Sequence, residues 1–300
     1  MPLARRRFLR DTAAALGGAA VASALGAARR SGPTEGEHTI GQVLDALRGL
    51  VPSDLPGDTV DTVKVGDPTR VCTGVVSTFL ATVPVIEATA QRGANLLVTH
   101  EPTFYNHLDE TAPLADDPVY AAKVALLERH GIAVFRFHDG YHRIAPDPMF
   151  RGFVRRMSWE PYAAASEVEE AALLPTATPL RVLAQAVGRQ LGGGRVEYVG
   201  AADYPCRSVG ILPGAWGRER QIGFLRSGQI DVLVVGESAE WEAVEYARDA
   251  QALGLGRALI VVGHAVSEDP GMVDLVGALR PLLPGIDVTH VAAGDPLSRV

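Results

Sequence analysis

Residues 83–104 read VPVIEATAQRGANLLVTHEPTF, and this stretch decides the fold class. Val83 to Gln91 reads as a helix, with Pro84 in its first turn and Gly93 just beyond its end. Asn95 to Val98 reads as a short buried strand that runs straight into Thr99-His100-Glu101-Pro102. Upstream, Val71 to Val76 reads as another apolar strand. Before it, Ile40, Val43, Leu44, Leu47 and Leu50 recur at helical spacing over Thr39 to Leu50. Downstream, a helix is predicted over Val119 to Gly131 and a strand over Ile132 to Phe137, ending on His138-Asp139-Gly140-Tyr141-His142. Strands alternating with helices imply a parallel α/β sheet, and sites form at the carboxyl edge of such sheets.

The same order returns further along. A helix is expected over Pro179 to Leu191, ending in Gly192-Gly193-Gly194, which reads as a helix stop. A strand over Arg207 to Leu212, a helix over Arg218 to Arg226 and a strand over Ile230 to Val235 lead into Gly236-Glu237. Trp241 to Leu253 (helix), Ala258 to Val262 (strand into Gly263-His264), Val273 to Leu282 (helix) and Ile286 to Ala292 (strand) complete the chain. The reading is therefore an α/β protein of two similar halves, a duplicated unit with a site between its copies. The first half spans 38–145 and the second 179–300. Residues 146–178 connect them, with a short helix at Met149 to Met157.

Three strand ends offer His together with carboxylate. His100-Glu101 lies where the chain leaves a strand, so neighbouring side chains are freed from pointing to opposite faces. His138, Asp139 and His142 place three ligand types within five residues. His264 and Glu268 are four apart, which puts both on one face if a helical turn follows the strand. A pair of divalent ions about 4 Å apart needs such a set, usually with a bridging carboxylate. Competing chemistry is missing from the sequence. It has no Gly-x-Ser-x-Gly elbow, no phosphate-loop lysine motif and no Gly-x-Gly-x-x-Gly after a strand.

These residues carry a resemblance. Val83 to Gly93 leading into Leu96 to Phe104, then Val234-Val235-Gly236-Glu237 and Gly263 to Glu268, resemble the Nif-three-like dinuclear metal-centre proteins, also labelled GTP cyclohydrolase type 2 homologues. The resemblance covers roughly residues 40–295. It implies two α/β halves, a toroidal hexamer, and metal ligation by His100, Glu101, His264 and Glu268, with Glu268 as bridge. In the middle segment the family pattern is His-Thr-x-x-Asp, and here His142 stands at the Asp. Either His142 replaces it or Asp139 reaches in, with His138 as a further ligand candidate; His142 is favoured. Four residues after Glu237, Trp241 stands where the family often has His. The inserted domain found in many members is absent, leaving only the short connector.

The chain begins with Arg5-Arg6-Arg7-Phe8-Leu9-Arg10 and a weakly apolar Ala/Gly-rich run to Ala28. That pattern is a signal peptide of the twin-arginine kind over residues 1–28, followed by a linker at 29–37. It predicts export to a periplasmic or extracellular location and no stable membrane span afterwards. The net charge of -7 would become about -10 without those 28 residues. With no basic patch, nucleic-acid binding is not expected. Cys72 and Cys206 match no zinc motif, and two buried thiols are expected rather than a disulfide.

The expected function is a hydrolase using water activated by two divalent ions. Zinc, manganese, iron, cobalt and nickel all suit His and carboxylate ligands. Tyr105 and His107, close after the first ligand pair, are candidates for moving the proton. The small-molecule substrate would be a phosphoester, a nucleotide or a cyclic amide. The alternative is a metal-binding, ring-forming interaction protein without turnover.

Overall fold

The computed structural model describes residues 38–192 and 196–297. The signal-peptide and linker readings, and part of the Gly192-Gly193-Gly194 stop, lie outside the described residues.

The first sheet is built from β1 (Val63–Val65), β2 (Val75–Thr78), β3 (Leu96–Thr99) and β4 (Ala133–Arg136), with α1 (Ile40–Arg48), α2 (Val83–Gln91) and α3 (Pro118–His130) around it. Capping chemistry sets each helix start. Thr39 and Gln42 form a reciprocal capping box at α1, Thr82 accepts from Val85 N–H at α2, and Asp117 accepts from two N–H groups at α3. Gly131 closes α3 in the left-handed conformation that glycine adopts without strain. A single turn, α4 (Asp139–His142), follows β4, and α5 (Pro148–Arg156) and α6 (Glu160–Ala164) lead onward.

The second sheet comprises β5 (Ala171–Pro179), β6 (Glu197–Val199), β7 (Pro205–Leu212), β8 (Val232–Val235) and β9 (Ala258–Val261), with α7 (Leu180–Gln190), α8 (Gly217–Ser227) and α9 (Glu245–Ala252). The chain then runs through α10 (His264–Leu279) into β10 (Val288–His290).

The sheet orders are β1-β4-β3-β2-β10 and β5-β7-β8-β9-β6. In each, three central strands run parallel, and a short antiparallel strand flanks the third of them. The two sheets thus share one plan: β2, β3 and β4 match β7, β8 and β9, and β1 matches β6. The central strands are buried on both faces, which explains their unbroken apolar runs. Along β3, Leu96 and Val98 enter one core with α1 and α10, while Leu97 enters the opposite core with α2 and α3. Each such side chain contributes about 1.5–3 kcal/mol by leaving water.

Three features differ from the sequence reading. First, the last strand pairs with β2 of the first sheet, not with the second half. An edge strand finds its partner through free backbone N–H and C=O groups, which side-chain pattern does not encode. Second, the segment between the halves is structured. β5 pairs antiparallel with β7, and α5 places Met149 in the first sheet's core and Phe153 in the second's. Third, the last helix begins at His264 rather than Val273 and carries Pro270 inside it. α5 and α10 cross closely: a Cβ on Gly152 would sit 2.5 Å from Gly271 N. Cys72 and Cys206 are both free and buried, in the cores of different sheets. Among the described residues no helix is long and apolar enough to cross a membrane.

Candidate metal centre

Four strand ends converge. His100 and Glu101 follow β3, His138 and His142 follow β4, Glu237 follows β8, and His264 follows β9. The strand pleat explains the first pair. Thr99 is the last paired residue, matched to Arg136, so the next two residues leave the sheet and turn to one side.

The three imidazoles of the first half pack ring to ring. His100 lies 4.6 Å from His138 and 4.9 Å from His142, centroid to centroid. The ligand atoms of His100, His138 and His142 all lie within 4.8 Å of one another, as do those of His100, Glu101 and Glu268. His264 closes the cluster from the other half. Its Nε2 is 3.0 Å from Glu268 Oε2 and 3.5 Å from Glu101 Oε1. His264 and Glu268 share the first turns of α10, at the i, i+4 spacing expected from the sequence.

Each imidazole is held at its other nitrogen or by a neighbouring backbone group. His100 Nδ1 meets Phe137 O at 3.2 Å, His138 Nδ1 meets Asp139 at 2.9 Å, and His142 Nδ1 meets Asp147 at 2.7 Å. His264 Nδ1 lies 3.5 Å from Glu237. Outer partners of this kind fix the tautomer and leave Nε2 for a ligand. Asp139 is fully engaged in that role, since its other oxygen accepts from Thr59 Oγ1 and Val60 N–H. Tyr105 and His107 both line the adjoining cleft; the His107 ring lies 5.8 Å from that of His138.

Sequence reasoning missed four supporting residues. Asp61 is buried, and its carboxylate accepts from the N–H groups of His138, Asp139 and Gly140, all at 2.8 Å. It thereby satisfies the free donors at the start of α4. Asp147 both orients His142 and caps α5. The Arg136 guanidinium is fully buried and donates to His100 O, His107 O and Glu101 Oε2. Gly214 leaves room for Glu268, because a Cβ there would overlap the carboxylate. Only Asp147 carried a signal, an Asp-Pro at a helix start.

The surplus of carboxylates around the imidazoles suits a cation that would displace their protons. Burial and the neighbouring imidazoles hold His100 and His138 below the usual histidine range. Burial opposes ionisation of Glu101, but His264, His138 and Arg136 outweigh it and keep the carboxylate ionised. Burial also works against a charged His264, yet Glu101, Glu237 and Glu268 push it up to about 12. That imidazole is surrounded by more negative charge than one proton offsets. Burial similarly disfavours a charged His142, but Asp147, Glu268 and Glu101 raise it.

One buried atom in the cluster, His100 Nε2, is left without a hydrogen-bond partner, and the buried Glu268 Oε2 facing it is met only by the ion-pair contact from His264 Nε2 at 3.0 Å. Orphaned buried polar atoms are costly, about 1–3 kcal/mol each, and rare without a reason. Here both atoms point into a set of imidazole and carboxylate donors, and a divalent ion is the group that would satisfy both. A cleft of about 1130 Å³ opens beside Glu101 and His264, lined from both sheets.

The model of the DUF34/NIF3 family (NGG1p interacting factor 3) matches residues 38–295. The chain belongs to this family. Among solved structures, it is similar to protein SA1388 of Staphylococcus aureus at 17% identity and a TM-score of 0.69, covering 88% of this chain and 99% of that one. A Bacillus cereus protein related to NIF3 matches at 14% identity with the same TM-score and coverage. Reduced HcgD from Methanocaldococcus jannaschii matches at 12% identity and 0.58, covering 85% and 98%. These likenesses show the DUF34/NIF3 fold over nearly the whole described chain. No curated protein matches by sequence.

Proposed function

We propose that this DUF34/NIF3 protein is a dinuclear metal hydrolase, with His100, Glu101, His138, His142, His264 and Glu268 as the ligand set. The observation that supports it best is His100 Nε2, buried without a hydrogen-bond partner and 3.6 Å from the buried carboxylate oxygen Glu268 Oε2 at the meeting of two sheets. Glu268 Oε2 lies 3.6 Å from His100 Nε2 of the first half and 3.0 Å from His264 Nε2 of the second, so this carboxylate would be the one shared between two ions. Asp139 belongs to the supporting layer, and His142 takes the place the family gives to Asp.

Two bound divalent ions would supply a water of lowered pKa and would polarise an electrophilic oxygen. The chain's own residues do the rest. Arg136 fixes the carboxylate of Glu101. Asp139, Asp147 and Glu237 aim three imidazoles. His107 and Tyr105, which line the cleft, are the candidates that would pass the proton to a leaving group. The cleft is of a size to admit a small molecule beside the cluster.

The deciding experiment is elemental analysis of protein purified from its own host, alongside Glu268→Gln. Close to two divalent ions per chain are expected, with at least one lost from the variant. Metal-loaded protein should then hydrolyse members of an amide and phosphoester panel, with loss of turnover in Glu268→Gln. A chain free of metal, or loaded but inert across the panel, would sink the hydrolase reading. Export through the twin-arginine route and ring assembly belong to the same proposal. The mass of the secreted mature chain and light scattering on a sizing column read them directly.

A further inference from the structure

We infer that Trp216, contributed by the second half, is a positioning residue for the metal centre: it seats the imidazole of His142, a proposed ligand contributed by the first. The inference rests on the metal-centre reading and adds to it a residue that meets no ion.

The place of the ring carries the first part of the case. Trp216 stands in the loop between β7 and α8, and its ring lies 5.2 Å from that of His142 at 67°, an edge-to-face contact. Asp147 holds Nδ1 of the same imidazole at 2.7 Å. One hydrogen bond fixes one point of a ring and leaves its tilt about that point open. The rings of His100 and His138 also meet His142, but both belong to the ligand set. Trp216 adds a wall that is not itself a ligand.

That wall is held in turn. The Arg220 guanidinium lies 3.7 Å from the centre of the Trp216 ring and is ion-paired with Glu170. Glu170 has φ of +52°, a left-handed conformation uncommon outside glycine, and its C=O accepts from Ile211 N–H at 2.7 Å. The indole also packs against the second sheet's core. A column of contacts thus runs from Glu170 through Arg220 and Trp216 to His142.

Two further observations bear on the role. The same loop serves a second proposed ligand, because Gly214 leaves the space that Glu268 fills. Neither Trp216 nor His142 is among the residues lining the cleft, so the indole does not act by stacking on a molecule bound there.

The test is cobalt(II) titration of the full chain stripped of metal. It is read by affinity and by the visible spectrum, which follows the donors around the ion. Trp216→Leu keeps apolar bulk without a ring, and it should weaken cobalt binding about tenfold and alter the spectrum. Trp216→Phe restores a ring and should recover most of the affinity and the wild-type spectrum. Arg220→Gln, a partly exposed change that leaves the indole in place, should weaken binding about two- to fivefold. Adding Trp216→Leu to His142→Ala should cost nothing further, because the imidazole it seats is gone. Wild-type affinity in Trp216→Leu or in Arg220→Gln would overturn the inference. So would equal losses in Trp216→Leu and Trp216→Phe, or a Trp216→Leu loss as large without His142 as with it. All of these leave the metal reading standing. Wild-type protein that takes up no cobalt would sink that reading and this inference together.

Discussion

Gly214 and Glu268 share a space that admits no side chain between them. Residue 214 has φ of +81°, and a Cβ there would overlap the Glu268 carboxylate. Gly214→Ala should therefore push the Glu268 carboxylate aside and, on the proposed ligand set, weaken metal binding by about 10–100-fold. Gly217→Ala is the control. It carries a similar positive φ of +71° but meets nothing within 4 Å, so it feels the backbone strain alone. Zinc or manganese titration should separate the two; equal affinities would remove Gly214 from the site.

Asp61 predicts a stability effect without touching any ligand atom. Three N–H groups converge on its carboxylate, and Asp61→Ala would leave them buried and unpaired. Denaturant unfolding of the metal-free protein should show a loss of about 1–3 kcal/mol, with Asp61→Asn between the two. Metal affinity should fall as well, because α4 carries His142 and its start places His138. A variant as stable as wild type would mean water replaces the carboxylate.

Lys123 predicts a pH dependence. Burial depresses its ammonium from the usual 10.5 to about 8, with Asp109 opposing in part. The unfolded chain binds this proton more tightly than the folded one between those values. Stability from this group therefore rises with pH from about 8 to 10.5, and its full penalty is present below 8. Lys123→Met should flatten that part of the pH–stability curve. An unchanged slope would show the ammonium to be better solvated than its position implies.

The thiols predict a silent result. Burial, with Asp231 adding to it, raises the Cys206 thiol to about 12, and burial raises Cys72 as well. Native protein should give almost no reaction with a thiol reagent at pH 8, and unfolded protein should give two equivalents. A mass two units low in oxidised protein would reveal a disulfide and overturn the placement of the two residues in separate cores.

What could be read from the sequence divides by range. His264 and Glu268 were legible because a four-residue spacing becomes geometry as soon as a helix forms. His100 was legible because a buried strand ends just before it. Asp61, Arg136 and Gly214 were not, since each acts on a residue brought near only by the fold: Asp61 on His138, Arg136 on Glu101, Gly214 on Glu268. Asp139 lies in a ligand-rich segment, and only the direction of its two oxygens separates a supporting role from a liganding one. β1 and β6 escaped notice because three residues carry too little alternation to signal a strand.

The return of β10 to the first sheet has a consequence for how the molecule is born. α10 presents His264 and Glu268, buries Met272, Leu275 and Leu279 in the first sheet's core, and hands the chain to β10 beside β2. The amino-terminal sheet therefore lacks one edge and part of one face until α10 and β10, residues 264–290, have left the ribosome. Vectorial folding, in which an early domain matures while later ones are still being made, is closed to this topology. A nascent chain stalled before residue 264 would expose that unfinished face to chaperones and proteases, whereas emergence of residues 264–290 would complete the first sheet and bring His264 and Glu268 to His100.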